Sequence, residues 1–253
     1  MTVATGWLWD LLVQLRDARF IDLTHTFEPG IPHAEDMPDE SSRLIYDFDT
    51  DGFRAHVYEF AGQWGTHMDP PSHYIRDGDS IDAIPVAKML LPLVVLDIRD
   101  KVAENPDYAA EVADIEAWES RNGRLPAGCF VALRSGWSER WPSGASMHNK
   151  DAAGVSHFPG WGLELMRFLV EEREIAACGH ETTDTDPGRL VSADEFPAET
   201  YVLEQGRYQV EMLASLDQVP QAGSIISCTA PKPRGGSGFP ARAFAIVPEP
   251  AGD

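Results

Sequence analysis

Between residues 63 and 73 the chain reads Gln63-Trp64-Gly65-Thr66-His67-Met68-Asp69-Pro70-Pro71-Ser72-His73, a stretch dense in groups that bind cations or move protons. If the part before the prolines is extended, side chains alternate between faces. Gln63, His67 and Asp69 then point the same way, with the side-chain-free Gly65 between them. An imidazole and a carboxylate two residues apart can converge on one divalent ion, with an amide oxygen nearby. Pro70-Pro71 stiffens the exit and forces an extended or turning backbone ahead of His73. Imidazole, carboxylate and amide donors suit Zn²⁺ or Mn²⁺ better than an ion that prefers thiolates. The competing reading is a hydrogen-bonded His–Asp pair with no ion, and so short a motif does not separate the two by itself.

Other chemistries find less support. Ser135 lies in Arg134-Ser135-Gly136-Trp137, which is not the G-x-S-x-G of a nucleophile elbow. Cys129, Cys178 and Cys228 sit far apart in apolar runs, with no neighbour that would favour a thiolate and no CxxC pair. They read as buried free thiols. Gly235-Gly236-Ser237-Gly238 has no Gly-Lys-Ser/Thr and precedes a strand pattern, so it is not a phosphate loop. It reads as a mobile or tightly turned loop, near which Lys232, Arg234 and Arg242 either meet an anionic ligand or stay solvated. A cation site within residues 63–73 is the chemistry that these exclusions leave standing, beside the plain His–Asp pair.

The elements that must carry these residues are legible in outline. The chain has 253 residues, with 20 basic and 41 acidic side chains, a formal charge of −21. That excess repels phosphate backbones and anionic lipid, so neither nucleic acid nor a membrane is an expected partner. At 43% hydrophobic residues, a sizeable core is available. The longest apolar stretch, Met89 to Ile98, contains a proline and an aspartate and is too short to span a bilayer. The N-terminus does not read as a signal peptide, because Asp10 interrupts its apolar part; Trp7, Leu11, Leu12 and Leu15 suggest an amphipathic helix within 1–20. A reduced, cytoplasmic protein is the expectation. Strand patterns run over His56 to Ala61, Leu91 to Ile98, Cys129 to Arg134, Ile175 to Cys178, Gln209 to Leu213, Ser224 to Thr229 and Ala241 to Val247. Helical patterns lie around Val112, Ile115 and Trp118, over Trp161 to Glu172 and over Ala198 to Glu204. With no linker and no repeat, this is a single α/β or α+β domain, 1–253, around a mixed sheet.

The segment from Gln63 to His73 resembles the H-x-G-T-H-x-D-x-P-x-H motif of the metal-dependent cyclase family, which includes bacterial kynurenine formamidase (arylformamidase) and isatin hydrolase. It departs only at the first position, where Gln63 replaces histidine. The similarity continues through Ile21 to His25, Leu133 to Trp137, His157 to Gly160, Gly179 to Thr182, Glu211 to Leu213 and Phe239 to Arg242. The resemblance implies a swivelling β/β/α fold and a hydrolase acting on a carbon–nitrogen amide bond, in an N-formyl anilide or a cyclic amide. It implies water activated by one or two Mn²⁺ or Zn²⁺ ions, a small-molecule substrate, and a homodimer or homotetramer with the N-terminal helix as a contact. Lactone hydrolysis, a cyclase or dehydratase reaction, or non-catalytic binding of a metal or small ligand are the alternatives.

By position, His67 and Asp69 resemble the family's metal ligands, and His73 its proton shuttle. Glu211 falls where the family has a carboxylate that binds or bridges the metals, and so is both a metal and a catalytic candidate. Gln63 and Glu199 stand where the family has histidines, which shifts the donor set towards oxygen. For the substrate side the candidates are His157, His180, Glu181 and Trp64. Each has a structural alternative: ordering a helix entrance for His157, an acidic turn for His180 and Glu181, core packing for Trp64.

Overall fold

The computed structural model describes residues 6–248. Thirteen strands are formed: β1 (Arg19–Asp22), β2 (Ser41–Tyr46), β3 (Ala55–Glu59), β4 (His67–Asp69), β5 (Leu90–Asp97), β6 (Ala109–Ala110), β7 (Phe130–Arg134), β8 (Gly160–Trp161), β9 (Ala177–His180), β10 (Tyr208–Glu211), β11 (Ser224–Thr229), β12 (Phe239–Pro240) and β13 (Arg242–Val247). Nine of them make one mixed sheet in the order β1-β13-β11-β5-β7-β9-β10-β4-β12. The centre, β5-β7-β9-β10, is parallel, and its flanks are antiparallel. Parallel strands are covered on both faces, which is why β5 and β7 read as nearly continuous apolar runs.

Alternation along those strands divides the core in two. Val94, Leu96, Val131, Leu133 and Cys178 face the helices, whereas Leu91, Leu93, Val95, Phe130, Ala132 and Ala177 face the other way. Eight helices are described, α1 (Trp7–Arg16), α2 (Phe48–Asp51), α3 (Arg99–Glu104), α4 (Val112–Asn122), α5 (Gly144–His148), α6 (Leu163–Glu171), α7 (Gly188–Val191) and α8 (Pro197–Glu204). On α6, Leu165, Met166, Leu169 and Val170 form the buried stripe. On α4, Ile115 and Trp118 do the same, and the Trp118 indole N–H donates to the Val95 carbonyl at 3.1 Å.

The opposite face is covered by the sheet itself. β12 and β13 are separated only by Ala241, yet β12 is the last strand in the order and β13 the second, so the chain passes directly from one side to the other. Thr24 bridges Leu213, and the Ala214 N–H donates to the Leu23 carbonyl at 2.9 Å. The sheet therefore curls until its ends meet around Ile21, Met68, Val210, Ile226 and Ala243. This is the α/β class and mixed sheet expected from the sequence.

Two elements stand apart. The expected N-terminal helix is α1, none of whose side chains is buried; residues 1–5 of that expectation lie outside the described residues. The β2–β3 hairpin is exposed on both faces except at Ala55. Its first strand was not expected, because Ser-Ser-Arg-Leu-Ile-Tyr shows no alternation to read. No helix among the described residues is long and apolar enough to cross a membrane.

Candidate metal centre

The expected strand from Gln63 to Asp69 is formed only over His67–Asp69. Gly65 adopts φ +60°, a conformation glycine reaches without strain, and a Cβ there would lie 3.2 Å from Phe27 Cβ. The chain turns at this point, so Gln63 is not a strand neighbour of His67. Beyond the turn, β4 pairs antiparallel with β10, placing His67 opposite Glu211 and Asp69 opposite Gln209. Since Met68 and Val210 take the apolar face, His67, Asp69, Gln209 and Glu211 share the helix-facing side. Helix α8 brings Glu199 above them, and the short turn Pro71–His73 brings His73.

Within this cluster His67 Nε2 lies 3.1 Å from Asp69 Oδ2 and 3.5 Å from Glu211 Oε2. His67 Nδ1 is 2.8 Å from the Gly65 carbonyl, which can only accept, so Nδ1 carries a proton and Nε2 is the atom turned towards the carboxylates. His67 Nε2 and Asp69 Oδ2 are buried without hydrogen-bond partners. Nε2 and Oδ2 at this distance repel unless a proton or a metal ion lies between them. His67, Asp69 and Glu211 each offer a donor atom close enough to share one ion, and Asp69, His73 and Glu199 form a second, overlapping group. The residues present therefore fit a divalent ion held by one nitrogen and carboxylate oxygens.

The electrostatics agree. Burial lowers the basicity of His67, but the Asp69 carboxylate outweighs it and leaves the ring more basic than usual. Glu199 and Glu211 are pushed far above the ordinary carboxylate range by burial and then by neighbouring carboxylates. Burial likewise raises Asp184 to about 7, helped by the negative charges of Asp186 and Asp69. A buried group of acids so short of positive charge is the signature of a cation site.

A pH dependence follows for the metal-free protein. Asp184 has a folded pKa raised above its unfolded value near 3.9, so the protonated group adds stability that is complete below about pH 4 and is lost as the pH rises through about 7. Chelator-treated protein should unfold at a higher temperature at pH 5.5 than at pH 8, and Asp184→Asn should flatten that difference. Equal midpoints in the unsubstituted chain, by scanning calorimetry, would refute this.

The remaining sequence candidates fall in different places. Gln63 reaches the cluster, but not with its oxygen. Its amide nitrogen lies 3.1 Å from Asp69 Oδ1 and 3.0 Å from the Ser237 carbonyl, two acceptors that require a donor between them. The expectation that Gln63 offers an amide oxygen to the metal is therefore corrected: as placed, it is a donor that secures Asp69. The Gly-rich turn is tightly tied down, with Gly236 O accepting from Ile81 N and Gly235 N donating to Asp82. Gly238 packs so closely on Gln63 that a Cβ would come within 2.1 Å of its amide nitrogen. Arg242 is paired with Asp22 at 2.6 Å.

His73 is half-buried, its Nε2 3.9 Å from Glu199 Oε1, with Tyr74 edge-on at 4.9 Å. His180 is buried behind Glu211, with Nε2 3.4 Å from Oε1 and Nδ1 accepting from the Trp161 indole. Burial lowers its pKa to about 3, so it is neutral. Glu181 spends its carboxylate on Ser135 N, Ser135 Oγ, Gly136 N and Ser138 Oγ, and clamps that loop. His157 is held by Asp107 at 2.8 Å and Asp151 at 3.5 Å. His180, Glu181 and His157 are thus engaged with protein groups instead of a cleft. Trp64 is fully buried against His33, and its indole N–H has no partner.

Sequence reasoning passed over Gln209, although its position two residues before Glu211 in a strand was signal enough that they share a face. Asp186 accepts from Ala198 N and Glu199 N, both at 3.0 Å, and so caps α8 and fixes Glu199. A cavity of about 370 Å³, walled by Asp184, Phe158, Phe196 and the Ala34–Asp36 segment, adjoins the cluster through Asp184. The Lys150–Glu35 pair ties that segment across it. A larger cavity, about 560 Å³, lies around Thr24, His25 and Arg242; neither cavity is lined by the cluster's own donor residues.

Comparison with known proteins places this geometry. The Cyclase family model matches residues 21–187. An isatin hydrolase from Roseibium aggregatum is 29% identical over 247 residues, covering 92% of this chain and 93% of that one. The structure of isatin hydrolase A from Labrenzia aggregata bound to benzyl benzoate superposes with a TM-score of 0.89 at 35% identity, over 96% of this chain and 99% of that one. An isatin hydrolase bound to the product analogue thioisatinate gives 0.90 at 28% identity, over 97% and 99%.

Proposed function

The chain belongs to the cyclase family, and from that premise we propose that it is a metal-dependent hydrolase opening the carbon–nitrogen bond of a small cyclic amide fused to an aromatic ring. The observation that carries the reading is the buried, partnerless facing of His67 Nε2 and Asp69 Oδ2, with Glu211 Oε2 beside them. The likeness to isatin hydrolases along the whole chain supports a cyclic amide over an N-formyl anilide. The aromatic walls Phe158 and Phe196 suit a flat ring.

His67, Asp69 and Glu211 would hold one ion. Asp69 has Oδ1 committed to Gln63, which leaves only Oδ2 and disfavours a bridge to a second ion. One imidazole among carboxylate oxygens favours Mn²⁺ relative to Zn²⁺. When bound, the ion supplies Lewis acidity to water and to the substrate carbonyl. His73, on the more open side, takes the proton from the attacking water and returns it to the leaving nitrogen, so the ring opens to a carboxylate and an amine. Glu199 Oε1 faces His73 Nε2 at 3.9 Å and limits where the ring can turn. Asp184 lines the approach, whereas Trp64, with no accessible surface, packs in the core.

The exposed apolar face of α1, with Trp7 65% and Trp9 72% accessible, and the two-sided hairpin support a homodimer or homotetramer. A lone hairpin is only marginally stable in water. Three buried free cysteines support a cytoplasmic location.

The deciding assay offers a fused aromatic cyclic amide, an N-formyl anilide and the lactone analogue with Mn²⁺ or Zn²⁺. The amide should ring-open fastest, and only with the ion. Preferred turnover of the lactone would move the reading to a lactonase. No turnover of any of them, with ion bound, would make this a binding protein.

A further inference from the structure

Gln209 lies in β10 between Tyr208 and Val210, which face the apolar side, so its side chain turns with Glu211 into the polar cluster. It has no accessible surface. Its carbonyl oxygen accepts from Thr185 Oγ1 at 2.7 Å, while its nitrogen lies 2.8 Å from Glu199 Oε1 and 3.2 Å from Glu211 Oε1. Two carboxylate oxygens on one side of an amide require the N–H donors there, so this orientation follows from the chemistry of its neighbours. One neutral side chain thus spans the two overlapping donor groups, and both of its hydrogens are used. Each carboxylate has one oxygen taken up. Glu211 keeps Oε2, which faces His67 Nε2.

Two carboxylates buried side by side repel, and ordinarily a shared proton or a cation must hold them. A fixed double donor does this without adding charge. From this geometry we propose that Gln209, seated by Thr185, is a positioning residue that leaves Glu211 and Glu199 one free oxygen each and takes up the oxygens a second ion would share, which fixes the centre for a single ion. The inference rests on the reading of the cluster as a metal centre. Gln63 plays the matching part for Asp69. Two glutamine amides then satisfy the oxygens that a second cation would otherwise share.

The test is a calorimetric Mn²⁺ titration of the full chain, with bound Mn²⁺ counted per chain and its electron paramagnetic resonance spectrum recorded. Gln209→Met keeps the length and removes both donors. It should bind the first ion roughly 10–100-fold more weakly, the range for loss of a group that orients a ligand. It should also take up a second ion at millimolar Mn²⁺, seen as a spin-coupled spectrum in place of the single-ion one. Thr185→Val should weaken binding in the same direction, and Thr185→Ser, which keeps the hydroxyl, should recover it. If Gln209→Met fails to fold, the Thr185 pair decides alone. Unchanged affinity and a single-ion spectrum in the folded Gln209→Met and Thr185→Val variants would overturn the clamp alone. No Mn²⁺ uptake by the unsubstituted chain would overturn the metal centre and the clamp with it.

Discussion

His67→Ala is expected to lose bound metal and amide hydrolysis together, with the rate falling by roughly 10³-fold or more. The expectation follows from the geometry of Nε2: it is the one nitrogen donor in the group with Asp69 and Glu211, and its direction is fixed by the Nδ1 contact to Gly65. Without it, two carboxylate oxygens alone must hold the ion, and the lowering of water's pKa from 15.7 towards neutrality is forfeited. The substitution also opens a cavity, so Asp69→Asn serves as a companion of equal volume. It keeps a side-chain oxygen but loses the charge, and should weaken metal binding in the same direction. Circular dichroism confirms that either variant is folded. A folded His67→Ala chain that retains its metal and its rate would show that His67 is structural.

His73→Ala should behave differently: full metal occupancy and a rate reduced by roughly 10²–10⁴-fold, the range for loss of a general acid–base group. His73 stands outside the group formed by His67, Asp69 and Glu211 and is half-buried; its Nδ1 lies 3.4 Å from the Gln63 amide nitrogen, so it meets Asp69 only through Gln63. The loss should fall mainly on kcat, because the imidazole moves a proton without holding the substrate. Metal content measured alongside kcat separates the outcomes. If His73→Ala lost metal as readily as His67→Ala, His73 would be a ligand, and the overlapping group with Asp69 and Glu199 would be the occupied one.

How far the sequence carried these conclusions differs from residue to residue. The strand Ser224–Thr229 was found to the residue, and Leu90–Asp97 and Arg242–Val247 to within one, because buried strands are short apolar runs with sharp ends. Helix α6 was legible from Leu165, Met166 and Leu169 on one face. His67 and Asp69 were legible as a pair because adjacent positions of one strand face do converge. Gln63 was not, since the positive φ of Gly65 leaves no trace in an alternation pattern. Glu199 and Glu211 came from the resemblance; no periodicity links α8 and β10 to residue 67. The role of Gln209 depends on the β10–β4 register that sets it opposite Asp69, and on Thr185 arriving from a loop. Such long-range pairings are set by the curl of the sheet.

The most direct measurement is the number of metal ions per chain, by elemental analysis of protein purified without chelator and again after reloading with Mn²⁺ or Zn²⁺. One equivalent, lost on His67→Ala and kept in His73→Ala, is the result expected of a site built from His67, Asp69 and Glu211 with Asp69 Oδ1 already bound to Gln63. No metal under either loading would contradict the metal centre, and with it the hydrolytic chemistry assigned to this chain.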